Sequence, residues 1–315
     1  MTRIVAVILA VAALGTAAGA VAQPVRIMPL GNSITSGTEA RKCYRRYLDH
    51  LLHQGGRSFN FVGSLRKCGA ENVDPNPADF DLDHEGWWGK EVDWMLEYMT
   101  GWGRGRFVTA RPNIVLCELG TNDILHETEK DSADTVIERT LRELEELIDT
   151  MRHFNSSTRF LLGTLIPVGQ TWPDGIGVKF RAIIPQFNTR LPEVIANRST
   201  AQSPVILVDV AEGFNWQTDM TDSYHPNEAG AEKMAAQWYA ALEAVLNPTP
   251  VILSYPRGLH YREQSRSELI LYAPTFHNVA PAAWLFSVAG RKTGWAPLMH
   301  QSGTGCYGMR PATGN

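Results

Sequence analysis

Residues 23–247 predict a single α/β domain built around a mostly parallel sheet. Short apolar runs and stretches of helical periodicity alternate about five times over roughly 220 residues, the pattern of strands joined by crossover helices. No internal repeat interrupts this alternation. The polar residues with chemical capability fall just after the apolar runs, and open parallel sheets bind ligands outside the carboxyl ends of their strands.

In chain order, 25–30 is an apolar run closed by Gly31 and reads as a buried strand. The stretch 43–54 carries Tyr44, Tyr47, Leu48, Leu51 and Leu52 at helical spacing and stops at Gly55-Gly56. A second strand is expected over 59–62, a helix over 92–99, and a third strand over 113–119 behind Pro112. The clearest helix spans 133–153, with Ile137, Leu141, Leu144, Ile148 and Met151 spaced alternately four and three apart. Then come a strand over 159–166, a less regular helical region over 176–197 interrupted by Pro185 and Pro192, a strand over 205–210 and a helix over 226–246.

The ends differ from this core. Residues 1–22 begin Met-Thr-Arg, run without charge from Ile4 and close on Ala20-Val21-Ala22, the pattern of a cleaved secretory signal peptide. The chain is therefore expected to be secreted, and free of the membrane once cleaved. Residues 248–315 are rich in Pro and Gly, with strand-like runs only at 251–255 and 269–272; they read as a C-terminal extension, poorly ordered or a small β-rich piece. The net charge is −4 with no basic patch, which excludes a nucleic-acid partner, and a monomer is expected. Export permits disulfides, and Cys43 and Cys68 bracket one short segment as the natural pair. Cys117, inside an apolar run, reads as a buried free thiol.

Four loci carry candidate chemistry. Gly31-Asn32-Ser33-Ile34-Thr35 follows the first strand, where a serine hydroxyl would face the crevice as a nucleophile. Thr35 occupies the last Gly position of a G-x-S-x-G elbow, so that motif is not met. Asp222-Ser223-Tyr224-His225-Pro226 follows the last strand. Pro226 suits the first position of a helix, and Asp222 can fold back to accept the Nδ1 hydrogen of His225 and turn its Nε2 towards Ser33. Gly120-Thr121-Asn122-Asp123 offers the Asn122 side-chain NH2 to an oxyanion, and Glu118 just before it supports the site. In Gly86-Trp87-Trp88-Gly89, Gly89 sits nearer the next helix and can present its backbone N–H to an anion. Taken singly, each locus has a structural alternative as a turn or a helix cap.

Together, in the order Ser, Gly, Asn, Asp-x-x-His, the chain resembles the SGNH (GDSL-like) hydrolases over about residues 25–246. It departs from them at Asn32, where the family most often has Asp, a difference expected to tune the loop. Residues 26–35, Cys43-Tyr44-Arg45-Arg46 and Asp83-His84-Glu85-Gly86 are similar to secreted family-3 carbohydrate esterases, which include acetylxylan esterases. The resemblance implies a flavodoxin-like three-layer sandwich with a five-stranded sheet in the order 2-1-3-4-5. It implies a serine esterase with Ser33, Asp222 and His225 catalytic, an oxyanion hole of Ser33, Gly89 and Asn122, and acetylated carbohydrate as substrate. Lipid or short-chain acyl esters, or an inactive carbohydrate-binding scaffold, are the alternatives.

No cofactor or metal is expected. Asp79, Asp81 and Asp83 alternate like the start of a calcium loop, but His84 and Lys90 stand where that loop needs Gly and Glu. Trp87, Trp88 and Trp172 are expected in loops on the active-site side, where they could stack on sugar rings.

Overall fold

The computed structural model describes residues 23–70, 73–169 and 176–247, together with the backbone of three strands between 268 and 297. The expected signal segment 1–22, Trp172, Cys306 and the run 251–255 lie outside the described residues.

The central strand β1 (Val25–Gly31) pairs with β2 (Phe59–Phe61) on one side and β4 (Ile114–Glu118) on the other, followed by β5 (Arg159–Gly163) and β6 (Val205–Val208). These five strands follow the expected order. A sixth, the two-residue β3 (Glu85–Gly86), also pairs with the end of β1, which makes the order 2-1-4-5-6 in chain numbering. Every pairing in this sheet is parallel.

Alternation along the strands divides the core in two, because successive side chains of a strand point to opposite faces. Met28, Leu30, Val115, Cys117, Phe160 and Leu162 face a cluster built with α3 (Val92–Thr100), α4 (Arg104–Ala110), α5 (Thr121–Glu127), α6 (Ala133–Phe154) and α7 (Ile176–Arg198). Ile27, Ile114, Leu116 and Leu161 face α1 (Ser33–Ser36), α2 (Tyr44–Gln54) and α8 (Glu228–Leu246). The result is three layers, helix, sheet and helix.

Two expectations change. The region 176–197 is a continuous helix with Pro185 and Pro192 inside it. An interior proline costs about 3 kcal/mol. Phe180, Ile183, Ile184, Phe187, Leu191 and Val194 are buried along this helix; each such side chain contributes roughly 1.5–3 kcal/mol, which outweighs the two breaks. Asn188 further ties α7 to the sheet, exchanging side-chain hydrogen bonds with both backbone groups of Leu165. The last helix begins at Glu228, not at Pro226: the Asn227 side chain caps it by accepting from Gly230 N at 3.1 Å, leaving Pro226 in the preceding loop.

The expected bridge between Cys43 and Cys68 is not formed. Both are buried free thiols, with Arg45 Nη2 3.8 Å from the Cys68 sulfur. Cys117 is free and buried as well. No helix among the described residues is long and apolar enough to cross a membrane. Residues 250–315 form a separate unit, in which β7 (Glu268–Leu271), β8 (Ala282–Ser287) and β9 (Lys292–Pro297) make an antiparallel sheet in chain order.

Candidate active site

The carboxyl ends of β1 and β4 open into a cavity of about 360 Å³ lined by Ser33, Trp88, Gly89, Asn122, Tyr224 and His225 among others. Ser33 opens the one-turn helix α1, which Asn32 caps by accepting from Ile34 N at 2.8 Å. Gly31 must precede it. A Cβ there would stand 2.7 Å from the Glu118 carbonyl and 2.3 Å from Thr35 Oγ1, closer than real contacts allow. Behind the turn lies Arg45, which is buried and donates to the carbonyls of Thr35, Ser36 and Leu82 at 2.8 to 3.0 Å. A buried guanidinium with this many acceptors locks the segment after Ser33 to the loop before β3.

His225 Nε2 lies 2.9 Å from Ser33 Oγ, and its Nδ1 lies 2.8 Å from Asp222 Oδ2. Asp222 Oδ1 accepts the backbone N–H groups of Tyr224 and His225, both at 2.8 Å. Burial raises the Asp222 pKa, but the hydrogen bonds from the His225 ring and these two amides win and bring it down to about 2. The loop is itself pinned. Gly169 N donates to the Ser223 carbonyl and Thr221 N to that of His225, both at 2.8 Å.

Gly89 sits in a tight turn in which Lys90 N donates to the Trp87 carbonyl at 3.3 Å. Its φ of +66° is left-handed backbone, which glycine adopts without strain. Nothing lies within 4 Å of where its Cβ would be, so backbone conformation and not crowding calls for glycine here. Asn122, in the first turn of α5, donates Nδ2 to the Lys90 carbonyl at 2.8 Å, which leaves its second amide hydrogen for the cavity. Asp123 Oδ1 accepts from Val92 N at 3.1 Å, and burial pushes its carboxyl up to about 7. Asn122 and Asp123 thus fasten the Gly89 turn to α5. The Asp123 link was not read from the sequence, where Asn122 alone of Gly-Thr-Asn-Asp was given a role.

Glu118 is fully buried at the end of β4, and its oxygens make no well-formed hydrogen bond among the described residues. Burial pushes its carboxyl up to about 8, with the neighbouring Thr121 hydroxyl offsetting only part of this. The folded chain then holds a proton that the unfolded chain releases near 4.5, so this group's stabilising contribution falls as pH rises between these values. Glu118→Gln is expected to stabilise the protein increasingly from pH 5 to pH 8 relative to the wild type, measured by urea unfolding; a pH-independent difference overturns this. Asp123 titrates in both proteins and cancels from the difference.

The remaining loci resolve differently. Trp87 does not line the cavity. Its ring packs against Trp94, Tyr98 and Trp102 at 5.0 to 6.0 Å, and its Nε1 donates to Glu85 Oε2, so the expected sugar-stacking role is replaced by anchoring of the loop. Trp88 does line the cavity, 4.8 Å from the His225 ring. His84 is buried and held neutral: burial takes its pKa well below 6.5, Nδ1 accepts from Gly86 N, and Nε2 donates to the Lys67 carbonyl. The alternating aspartates are engaged in the fold. Asp79 pairs with Arg46, Asp81 accepts from the backbone of Phe61 and Asp83, and Asp83 pairs with Arg66. No group of His, Cys, Asp or Glu among the described residues is arranged to hold a metal ion. The sequence assigned no role to six further wall residues, Ile34, Thr121, Leu125, His126, Glu129 and Tyr224.

A cleft at the carboxyl edge of a parallel sheet is where open α/β folds bind their ligands. Residues 30–233 match the GDSL-like Lipase/Acylhydrolase family, and the chain belongs to it. It is 28% identical over 237 residues to a multidomain esterase of Ruminococcus flavefaciens; the match covers 70% of this chain and 29% of the length of that relative. Among solved structures it is similar to an acetyl esterase mutant crystallised with acetate ion, at 28% identity and a TM-score of 0.54, covering 70% of this chain and 98% of that one. A family 3 carbohydrate esterase from Talaromyces cellulolyticus is similar to the same degree, at 28% identity and a TM-score of 0.54, covering 71% and 99%.

Proposed function

We propose that the chain is an exported serine esterase that removes acetyl groups from carbohydrates, with Ser33, His225 and Asp222 as the reacting set. The observation that carries this reading is the line of hydrogen bonds from Ser33 Oγ through both nitrogens of His225 to Asp222, at 2.9 and 2.8 Å, on the wall of a cavity shared with Gly89 and Asn122. As Ser33 Oγ bonds to the ester carbonyl carbon, its proton passes to His225 Nε2, and Asp222 stabilises the imidazolium. The carbonyl oxygen becomes an oxyanion held by the backbone N–H groups of Ser33 and Gly89 and by the Asn122 amide. Collapse expels the sugar alkoxide, which takes the proton from His225. A water molecule then repeats the sequence on the acetyl-enzyme and releases acetate.

The similarity to an acetyl esterase and to a family 3 carbohydrate esterase supports the carbohydrate acetate. Export is supported by the charge and apolar pattern of residues 1–22. On p-nitrophenyl esters, kcat/KM for acetate is expected to exceed that for octanoate by at least about tenfold, one order of magnitude being about 1.4 kcal/mol of transition-state discrimination. A preference for octanoate would replace this reading with a lipid or long-chain acyl esterase.

A further inference from the structure

We propose that Trp88 is a positioning residue for His225, holding the imidazole in the plane its proton transfer requires, and not a platform for the sugar; this rests on the esterase reading above. Ser33 Oγ meets Nε2, Asp222 Oδ2 meets Nδ1, the Tyr224 ring approaches edge-on at 5.9 Å, and the Trp88 ring lies at 4.8 Å with only 34° between the planes. The bond to Cβ and the hydrogen bonds at the two nitrogens place the ring, but small χ2 tilts only bend those hydrogen bonds and are weakly resisted. A flat neighbour against one face removes that freedom.

The tryptophan is well placed to act this way. It follows Trp87, whose N–H donates to the Gly31 carbonyl at 2.9 Å and whose ring is locked in an aromatic cluster. It precedes Gly89, so one turn carries both the tilted ring contact and a proposed oxyanion donor. The Trp88 Nε1–H is buried and has no hydrogen-bond partner among the described residues. The polar edge therefore does not anchor the ring among the described residues. The π face is what the site uses. When His225 takes the serine proton it becomes a cation beside that face, an arrangement aromatic rings favour.

The test compares Trp88→Phe, which keeps a flat face and loses the N–H, with Trp88→Leu, which keeps apolar bulk and loses the face. Each is assayed on p-nitrophenyl acetate and on acetylated xylo-oligosaccharide, with thermal unfolding followed by circular dichroism. Trp88→Phe is expected to keep kcat within about threefold on both esters and to melt no lower than the wild type. Trp88→Leu is expected to lose kcat by about 10- to 100-fold on both alike, the scale of a misaligned reacting group, with KM within about threefold. Trp88→Met stands in if Trp88→Leu does not fold. A rise in KM confined to the oligosaccharide, with kcat kept on both esters, overturns the assignment and restores the sugar platform while leaving the esterase reading intact. Equal activity of the Phe and Leu variants overturns it too, by showing that bulk alone suffices. A wild-type protein that hydrolyses neither ester removes both readings together.

Discussion

Ser33→Ala and His225→Ala are each expected to lower kcat on p-nitrophenyl acetate by about 10⁴- to 10⁶-fold, and the double variant to be no worse than either alone. In the proposed mechanism the two side chains act as one device. A serine hydroxyl is a poor nucleophile until its proton has somewhere to go, and the imidazole does nothing for the ester unless it receives that proton. They meet at 2.9 Å although 192 positions separate them in the chain. Removing either leaves only binding and oxyanion stabilisation, so the second removal has nothing further to take away. A fluorophosphonate should correspondingly attach to Ser33 in the wild type, seen as a mass increment on the peptide containing it, and should fail to attach to the His225→Ala protein. Losses that add between the two sites, or an undiminished Ser33→Ala enzyme, would show that the chemistry lies elsewhere.

Asn122→Ala is expected to lower kcat by about 10²- to 10³-fold with a smaller change in KM, equivalent to about 3–4 kcal/mol of transition-state stabilisation. An amide aimed at the place where negative charge appears stabilises the transition state more than the bound ester, so its loss falls on turnover. The same Nδ2 also donates to the Lys90 carbonyl, beside Gly89. The variant therefore loses one donor outright and loosens the turn presenting another. The Asp123 bond to Val92 N remains to keep that turn near its place. Steady-state kinetics beside a melting curve separates the two contributions. Unchanged kcat would remove Asn122 from the reaction.

The strands and long helices were legible in the sequence because their signals are local: continuous apolar runs for strands buried on both faces, and the four-and-three spacing of Ile137, Leu141, Leu144, Ile148 and Met151 for α6. The helix α7 was misjudged at Pro185 and Pro192, since propensity is a local quantity and the burial that overrides it is not. The short α1 and α5 escaped notice because Asn, Ser, Gly and Thr serve turns and helix starts equally well. Within the site, Asp222 and His225 could be related from sequence alone, being three residues apart. The two tryptophans could not be told apart there, because which ring enters the aromatic cluster and which meets the imidazole depends on α3 and on the loop after β6. Arg45 gave no hint of its role either, as a buried guanidinium gathering three carbonyls has no signature in a linear pattern.

The hydrogen bonds inside residues 222–225 set the direction of the imidazole within its own loop, and the distant Trp88 ring limits only its tilt. Small drifts of the surrounding framework, on warming or through substitutions in either core, should therefore leave the orientation of the base intact. They would be felt first as a widening gap to the hydroxyl. Attempts to move this machinery onto another scaffold can carry that tetrapeptide across as one part, with the separation from the hydroxyl and a flat neighbour for the ring left to be set.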